Sequence, residues 1–332
     1  MNKSLMTAVA VAALGLGTAS AATPMVKAGF KGADPRATQL RDAEQPQLRV
    51  LFVGAHPDDT DIMCPVASMK LAKAGARVKW LSMTNGDRGH QFNDSVTLAK
   101  RRRGETQAAA KIYGIEEYMV SDTSDCHLVA SLEERAKLTK VIREFKPHII
   151  VTHRTGDYHP DHRATGQIVM DATYLSCVPL WAAEYPCEDG LIMPAVFFYP
   201  DRFSAPTPSR CDLAIAAEDG LERAAEGLAC HESQLFEWLP PEKGIQHIVP
   251  PASDHAGRVA FAKKYWVDPC HYGWARKFAK ELAQCWPNGD APKAAEFFEI
   301  SEYCRLPSAW ERKELEKAGF RFVPRKLAPQ EK

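Results

Sequence analysis

Apolar and polar positions alternate along this chain in two periods. Residues 48–55 (LRVLFVGA) form a continuous apolar run, the pattern of a strand buried on both faces. Residues 61–74 follow with helical spacing, and Pro65 is tolerable there only because it falls in the first turns. Further strands are predicted at 77–84, 117–121, 148–153 (HIIVTH) and 195–199 (AVFFY), and helices at 95–113, 131–145 and 161–175. A polar, glycine-containing loop at 85–93 separates the second strand from the second helix. Strand and helix thus alternate for some 150 residues, which predicts an α/β domain with a mainly parallel, Rossmann-like sheet and helices on both faces. Beyond residue 200 the period weakens. Residues 213–236 read as helix, and 240–274 as loop rich in proline and aromatics. The α/β domain is placed at 48–236, with 237–332 a loop-rich extension packing on it.

The N-terminus has a different pattern. Lys3 precedes a short apolar run at 6–17, and Ala19-Ser20-Ala21 fits the small-residue rule for a cleavage site. Residues 1–21 are therefore expected to be a signal peptide and 22–47 a polar leader. The apolar run falls well short of the roughly 20 residues a membrane-spanning helix needs. The protein is expected to be exported to the bacterial periplasm or the medium, without a membrane span. Nine cysteines in an oxidising compartment then suggest several disulfides, with Cys64 a buried free thiol. No C-x-x-C pair occurs, so zinc-ribbon and thioredoxin readings lack support. Forty-two basic and 42 acidic residues balance to zero net charge, which disfavours a nucleic-acid partner. A small-molecule or glycan substrate fits better.

Two clusters carry candidate chemistry. Ala55-His56-Pro57-Asp58-Asp59 directly follows the first strand, and His159-Pro160-Asp161-His162 follows the HIIVTH strand. Each alone is also an ordinary helix start, with Pro in the first turn and Asp as macrodipole partner. Together, at the carboxyl ends of two strands of one sheet, they fall where such sheets bind ligands. If the two strands are neighbours, His56, Asp59 and His162 would supply nitrogen, oxygen and nitrogen to one cation. That set suits Zn2+, and Fe2+ or another divalent metal equally well by geometry.

AHPDD followed by HPDH resembles the PIG-L (LmbE-like) family of zinc-dependent N-deacetylases, over roughly residues 49–234. The loop at 84–89 (TNGDRG) is similar to the family's T-x-G-E-x-G. Arg102 and Glu105 lie on the helix after it, and residues 231–234 (HESQ) match H-x-S-Q. The resemblance implies hydrolysis of an N-acetyl or N-acyl amide on an amino-sugar-type substrate. It implies Asp58 as general base, His159 as an imidazolium stabilising the oxyanion, and Asp161 as the carboxylate orienting a histidine. Asp87, Arg88, Arg102 and His231 are the candidate substrate contacts. Two alternatives remain open at this point: an amidase of the same family acting on a non-sugar or thiol-conjugate amide, and a catalytically silent carbohydrate-binding protein.

Overall fold

The computed structural model describes residues 47–187 and 191–324, so the expected signal peptide and almost all of the leader lie outside the described residues. Strand β1 (Arg49–Gly54) is buried along its whole length, as its unbroken apolar run requires. It pairs in parallel with β2 (Arg77–Ser82) on one side and β4 (Ile149–Thr152) on the other. Strand β3 (Glu117–Val120) continues the sheet beyond β2, and β5 (Ala195–Phe198) beyond β4, both parallel. Three antiparallel strands complete it: β6 (Leu213–Ala216), β7 (Ala295–Ile300) and β8 (Phe320–Phe322). The order is β3-β2-β1-β4-β5-β7-β6-β8. Strand order reverses between β1 and β4, and the loops after both strands open side by side there.

The connecting helices have local signals that start and stop them. After β1 come α1 (Asp59–Met63) and α2 (Pro65–Lys73), followed by α3 (Ser95–Tyr113), α4 (Leu132–Phe145) and α5 (Pro160–Leu175). Asp94 caps α3 through the Thr97 amide at 3.0 Å, and Gly114 ends it in the left-handed region. Ser131 caps α4 through the Glu134 amide. Helix α5 docks tightly: a Cβ on Gly166 would lie 2.8 Å from the His153 carbonyl oxygen, so only glycine lets the helix carrying HPDH sit this close to the end of β4. Apolar side chains of β1 divide between the two faces, Val50 and Phe52 packing with Trp80 and Leu71, Leu51 and Val53 with Ile142 and Ile168.

Three expectations are corrected. The predicted helix 61–74 begins earlier and is broken, because Pro65 cannot continue the hydrogen-bond ladder and instead opens α2. The freed amides of Val66 and Ala67 donate to Glu296 of β7 at 2.8 and 2.6 Å. Residues 213–216 form strand β6, since a four-residue apolar run is ambiguous and pairing on both edges decides it; helix α6 (Leu221–Leu228) follows. The segment 240–274 carries helix: α7 (His255–Ala262) runs through a π-turn into α8 (Asp268–Lys277). Its aromatics Trp266 and Trp274 are buried in two separate clusters, so packing supplies what periodicity did not.

The disulfide expectation is corrected too. All nine cysteines lie among the described residues and no disulfide joins any of them. Cys64, Cys211, Cys285 and Cys304 are buried as small apolar groups, spread over different parts of the core. Among the described residues no helix is long and apolar enough to cross a membrane.

Candidate active site

Gly54 ends β1, and the chain turns at once, with the Asp58 amide donating to the His56 carbonyl at 2.8 Å. A Cβ on Gly54 would meet the Asp59 Cβ at 2.9 Å, so the missing side chain lets Asp59 fold back over the strand end. Asp59 Oδ2 accepts from the amides of Ala55 and His56, both at 2.8 Å, and from His153 Nε2 at 3.1 Å. Oδ1 is turned to His162, whose Nε2 lies 3.4 Å away. Burial pushes the Asp59 carboxyl up, but the charges of His162 and His153 outweigh it and hold the group well below the usual carboxylate range.

Besides His153, two further histidines face this carboxylate, and each of these two is held from behind by acids. His56 Nε2 is 3.1 Å from Asp125 Oδ1 and 3.3 Å from Asp161 Oδ2, so Nε2 carries the donor hydrogen and Nδ1, 3.6 Å from Asp59 Oδ2, faces inward. His162 Nδ1 is 3.0 Å from Asp157 Oδ1, which leaves Nε2 facing Asp59. His56 Nδ1 and His162 Nε2 thus face different oxygens of Asp59, and the donor groups that gather within 4.8 Å are His56, His159 and His162 on one side and Asp59, His153 and His162 on the other, with His162 common to both. Carboxylates that fix ring tautomers from outside are the usual second layer of a histidine metal site. Burial lowers the His162 pKa, yet the charge of Asp59 and the Asp157 hydrogen bond raise it to about 9. His56 is also raised, against burial, by Asp125, Asp161 and Asp59. Such a field draws positive charge, which a divalent cation would supply in place of the ring protons.

Beside this set lies a cavity of about 370 Å³, lined by Asp58, Arg88, Arg102, Tyr158, His159 and Trp238 among others. Arg102 NH2 sits 2.8 Å from Asp58 Oδ2, and its side chain is only 2% exposed. Its NH1 donates to the Gly86 carbonyl at 3.4 Å, while Nε has no hydrogen-bond partner among the described residues. His159 caps α5: its Nδ1 accepts from the Asp161 amide at 3.2 Å, leaving Nε2 as the ring's donor. Burial and the neighbouring charges of His56 and His162 lower its pKa. That direction weighs against the imidazolium form expected from the family resemblance.

The structure brings His56, Asp58, Asp59, His159, Asp161, His162, Arg88 and Arg102 together at the β1/β4 opening. It does not bring two expected substrate contacts there. His231 is wholly buried, its Nε2 2.9 Å from Asp61 Oδ1, because α6 delivers it behind the site rather than into it. Asp87 turns inward as well, accepting from Ser124 Oγ at 2.8 Å and from the Asp125 amide at 2.9 Å, and so builds the loop that presents Asp125. Sequence reasoning missed Asp125, Cys126 and Asp157, and read His153, at the end of the HIIVTH strand, as structural; the structure sets its Nε2 3.1 Å from Asp59. Asp125 follows the end of β3, and the rule that sheet ligands gather at strand ends would have marked it. Asp157 lies only two residues before HPDH. Trp238 and Leu239 reach the cavity from the π-turn and short helix after α6, which no local pattern places there.

Comparison with known proteins agrees with this arrangement. Residues 51–173 match the family profile PIG-L, described as GlcNAc-PI de-N-acetylase. The 1D-myo-inositol 2-acetamido-2-deoxy-alpha-D-glucopyranoside deacetylase of Thermobispora bispora is 32% identical over 167 residues, 42% of this chain and 55% of that protein. The chain spans about half the length of the first curated deacetylases it matches. The mycothiol S-conjugate amidase of Streptomyces coelicolor is 25% identical over 287 residues, 77% of this chain and 94% of that one. Among solved structures, the N,N'-diacetylchitobiose deacetylase of Pyrococcus horikoshii superposes with a TM-score of 0.55 at 20% identity, covering 82% of this chain and 96% of its own, which shows a shared fold. With its paired AHPDD and HPDH loops opening together on that fold, the chain carries a domain of the PIG-L (LmbE-like) family.

Proposed function

We propose that this protein is an exported, metal-dependent hydrolase that removes an N-acetyl or N-acyl group from an amino-sugar-type substrate. The observation carrying the reading is that His56 Nδ1 and His162 Nε2 face the two oxygens of Asp59 at 3.6 and 3.4 Å, with each ring held from behind by an outer carboxylate. These three residues would hold the cation; their nitrogen and oxygen donors suit Zn2+, and Fe2+ hardly less. A bound divalent cation supplies Lewis acidity to the amide carbonyl and lowers the pKa of water.

The remaining chemistry belongs to the chain itself. Asp58, on the cavity wall, takes the proton of the attacking water and returns it to the leaving amine. Arg102 at 2.8 Å keeps that carboxylate aimed. His159, neutral and donating through Nε2–H, stabilises the oxyanion that develops on the acyl carbon's oxygen. Asp125 and Asp161 orient His56, and Asp157 orients His162. The guanidinium of Arg88 is available to substrate hydroxyls at the cavity wall. Relatives named as deacetylases of amino-sugar compounds support the substrate class. The amidase relative, aligned over nearly its whole length, keeps a thiol-conjugate amide as the second reading. Export rests on the charge and apolar pattern of residues 1–21.

The test pairs a calorimetric Zn2+ titration of wild type and Asp59→Ala with acetate release from N-acetylglucosamine conjugates. One tight site lost in Asp59→Ala, with acetate released by wild type, is the expected result. A folded wild type that binds no divalent ion overturns the proposal.

A further inference from the structure

The cavity holds a second group of donors that shares no residue with His56, Asp59 and His162. Asp125, Cys126 and His159 place a carboxylate oxygen, a thiol sulfur and a ring nitrogen within 4.8 Å of one another. Cys126 Sγ is 3.4 Å from Asp125 Oδ1, and all three residues line the cavity. Bonds of zinc to nitrogen, oxygen and sulfur set tetrahedral ligands about 3.5 Å apart, so movements of roughly 1 Å would close this set. A thiol, an imidazole and a carboxylate together suit a soft divalent ion.

Charge supplies an independent argument. Five carboxylates, those of Asp58, Asp59, Asp125, Asp157 and Asp161, surround the site, and Arg102 pairs with one of them. A first dication together with Arg102 offsets three of the five negative charges. Asp161 is wholly buried and its Oδ1 has no hydrogen-bond partner among the described residues. Negative charge therefore remains beside Asp125 and Cys126 after the first site is filled. Cys126 also holds a left-handed backbone (φ 63°), with its amide donating to Asp161 Oδ2 at 2.7 Å, and this keeps the sulfur at the cavity wall.

We propose that Asp125, Cys126 and His159 form a second, thiol-containing cation site that takes a soft ion such as Zn2+, Cd2+ or Co2+ and inhibits the enzyme when filled. The Cys126 S–H bond breaks as the sulfur–metal bond forms, and the proton leaves to solvent. Coordination takes His159 Nε2, whose proton shifts to Nδ1 as the Asp161 amide gives up that acceptor, and it draws Asp125 away from His56. Only the inhibition rests on the hydrolase reading above; the binding site stands without it.

The test is a Co2+ titration of the reduced full chain, following near-ultraviolet thiolate-to-cobalt absorption and metal stoichiometry. It is repeated on Cys126→Ser, Cys126→Gly and Asp59→Ala. Wild type is expected to take two ions, the second with the absorption band; either Cys126 variant takes one ion without the band, and Asp59→Ala keeps the band. Cys126→Gly guards against misfolding, because glycine accepts the left-handed backbone. Zinc beyond the first equivalent should slow wild type about tenfold or more, and leave each Cys126 variant near its own one-equivalent rate. A band that persists in both Cys126 variants, or one ion with no band, overturns the site. A band lost in Asp59→Ala assigns the thiol to the first centre and overturns it equally. A second ion with no effect on rate overturns the inhibition. A wild type that shows the band on its second ion yet releases no acetate with one equivalent of metal would instead count against the hydrolase reading and leave the binding site standing.

Discussion

The Asp58–Arg102 pair carries a prediction whose size follows from its burial. The Arg102 side chain is 2% exposed and the Asp58 side chain 11%, with 2.8 Å between NH2 and Oδ2. Arg102→Met removes the cation, keeps most of the volume and leaves the carboxylate uncompensated. Breaking a buried pair in this way costs about 3–5 kcal/mol. The contact lacks hydrogen-bond alignment and Asp58 reaches the cavity, so the low end applies, about 3 kcal/mol. For a chain of this size that lowers Tm by roughly 4–5 °C. Asp58→Asn combined with Arg102→Met leaves neither charge behind, and should recover about 1–3 kcal/mol relative to the sum of the single changes. Urea midpoints of wild type, both singles and the double, read by tryptophan fluorescence, complete the cycle. Strict additivity, or an Arg102→Met protein within about 0.5 kcal/mol of wild type, would refute the claim that this pair is a coupled, buried unit.

Asp157→Asn should lower divalent-ion affinity by about 10–100-fold without unfolding the chain, since it only loosens the His162 tautomer; equilibrium dialysis measures this, and unchanged affinity would remove Asp157 from the site. Gly166→Ala forces a Cβ to 2.8 Å from the His153 carbonyl and should cost about 1–3 kcal/mol in urea unfolding, with loss of metal affinity because α5 carries His162. His271 and Glu296 are both fully buried and 2.9 Å apart; burial lowers the His271 pKa, but the Glu296 hydrogen bond and charge outweigh it and raise the pKa. The stability this pair adds is therefore full below the ordinary histidine value of about 6.5 and is lost as pH rises through the raised folded value, so the gap between wild type and His271→Gln should narrow from pH 6 to pH 9. The N-terminal sequence of the exported protein should begin near Ala22; material retaining Met1 would end the export reading.

Sequence alone determined those parts of the protein that rest on local order. The parallel half of the sheet was legible because β1, β4 and β5 are apolar runs too short for helix, separated by helices with their own caps. His56, Asp58, Asp59, His159 and His162 were legible because they lie in the loops and first helical turns that follow β1 and β4, where sheet geometry concentrates ligands. Tertiary structure decided whatever depends on residues distant in the chain. Strand β6 exists because β7 and β8 pair with it, some 80 to 110 residues later in the chain. Glu296 supplies the cap that Cys64 cannot give to α2. His231 matches a motif, yet helix packing turns it away from the cavity and onto Asp61. Asp125 and Asp157 set the tautomers of His56 and His162, and whether His159 is charged depends on the two other imidazoles beside it. Protonation, tautomer and facing direction follow from through-space neighbours, and spacing along the chain carries no information about them.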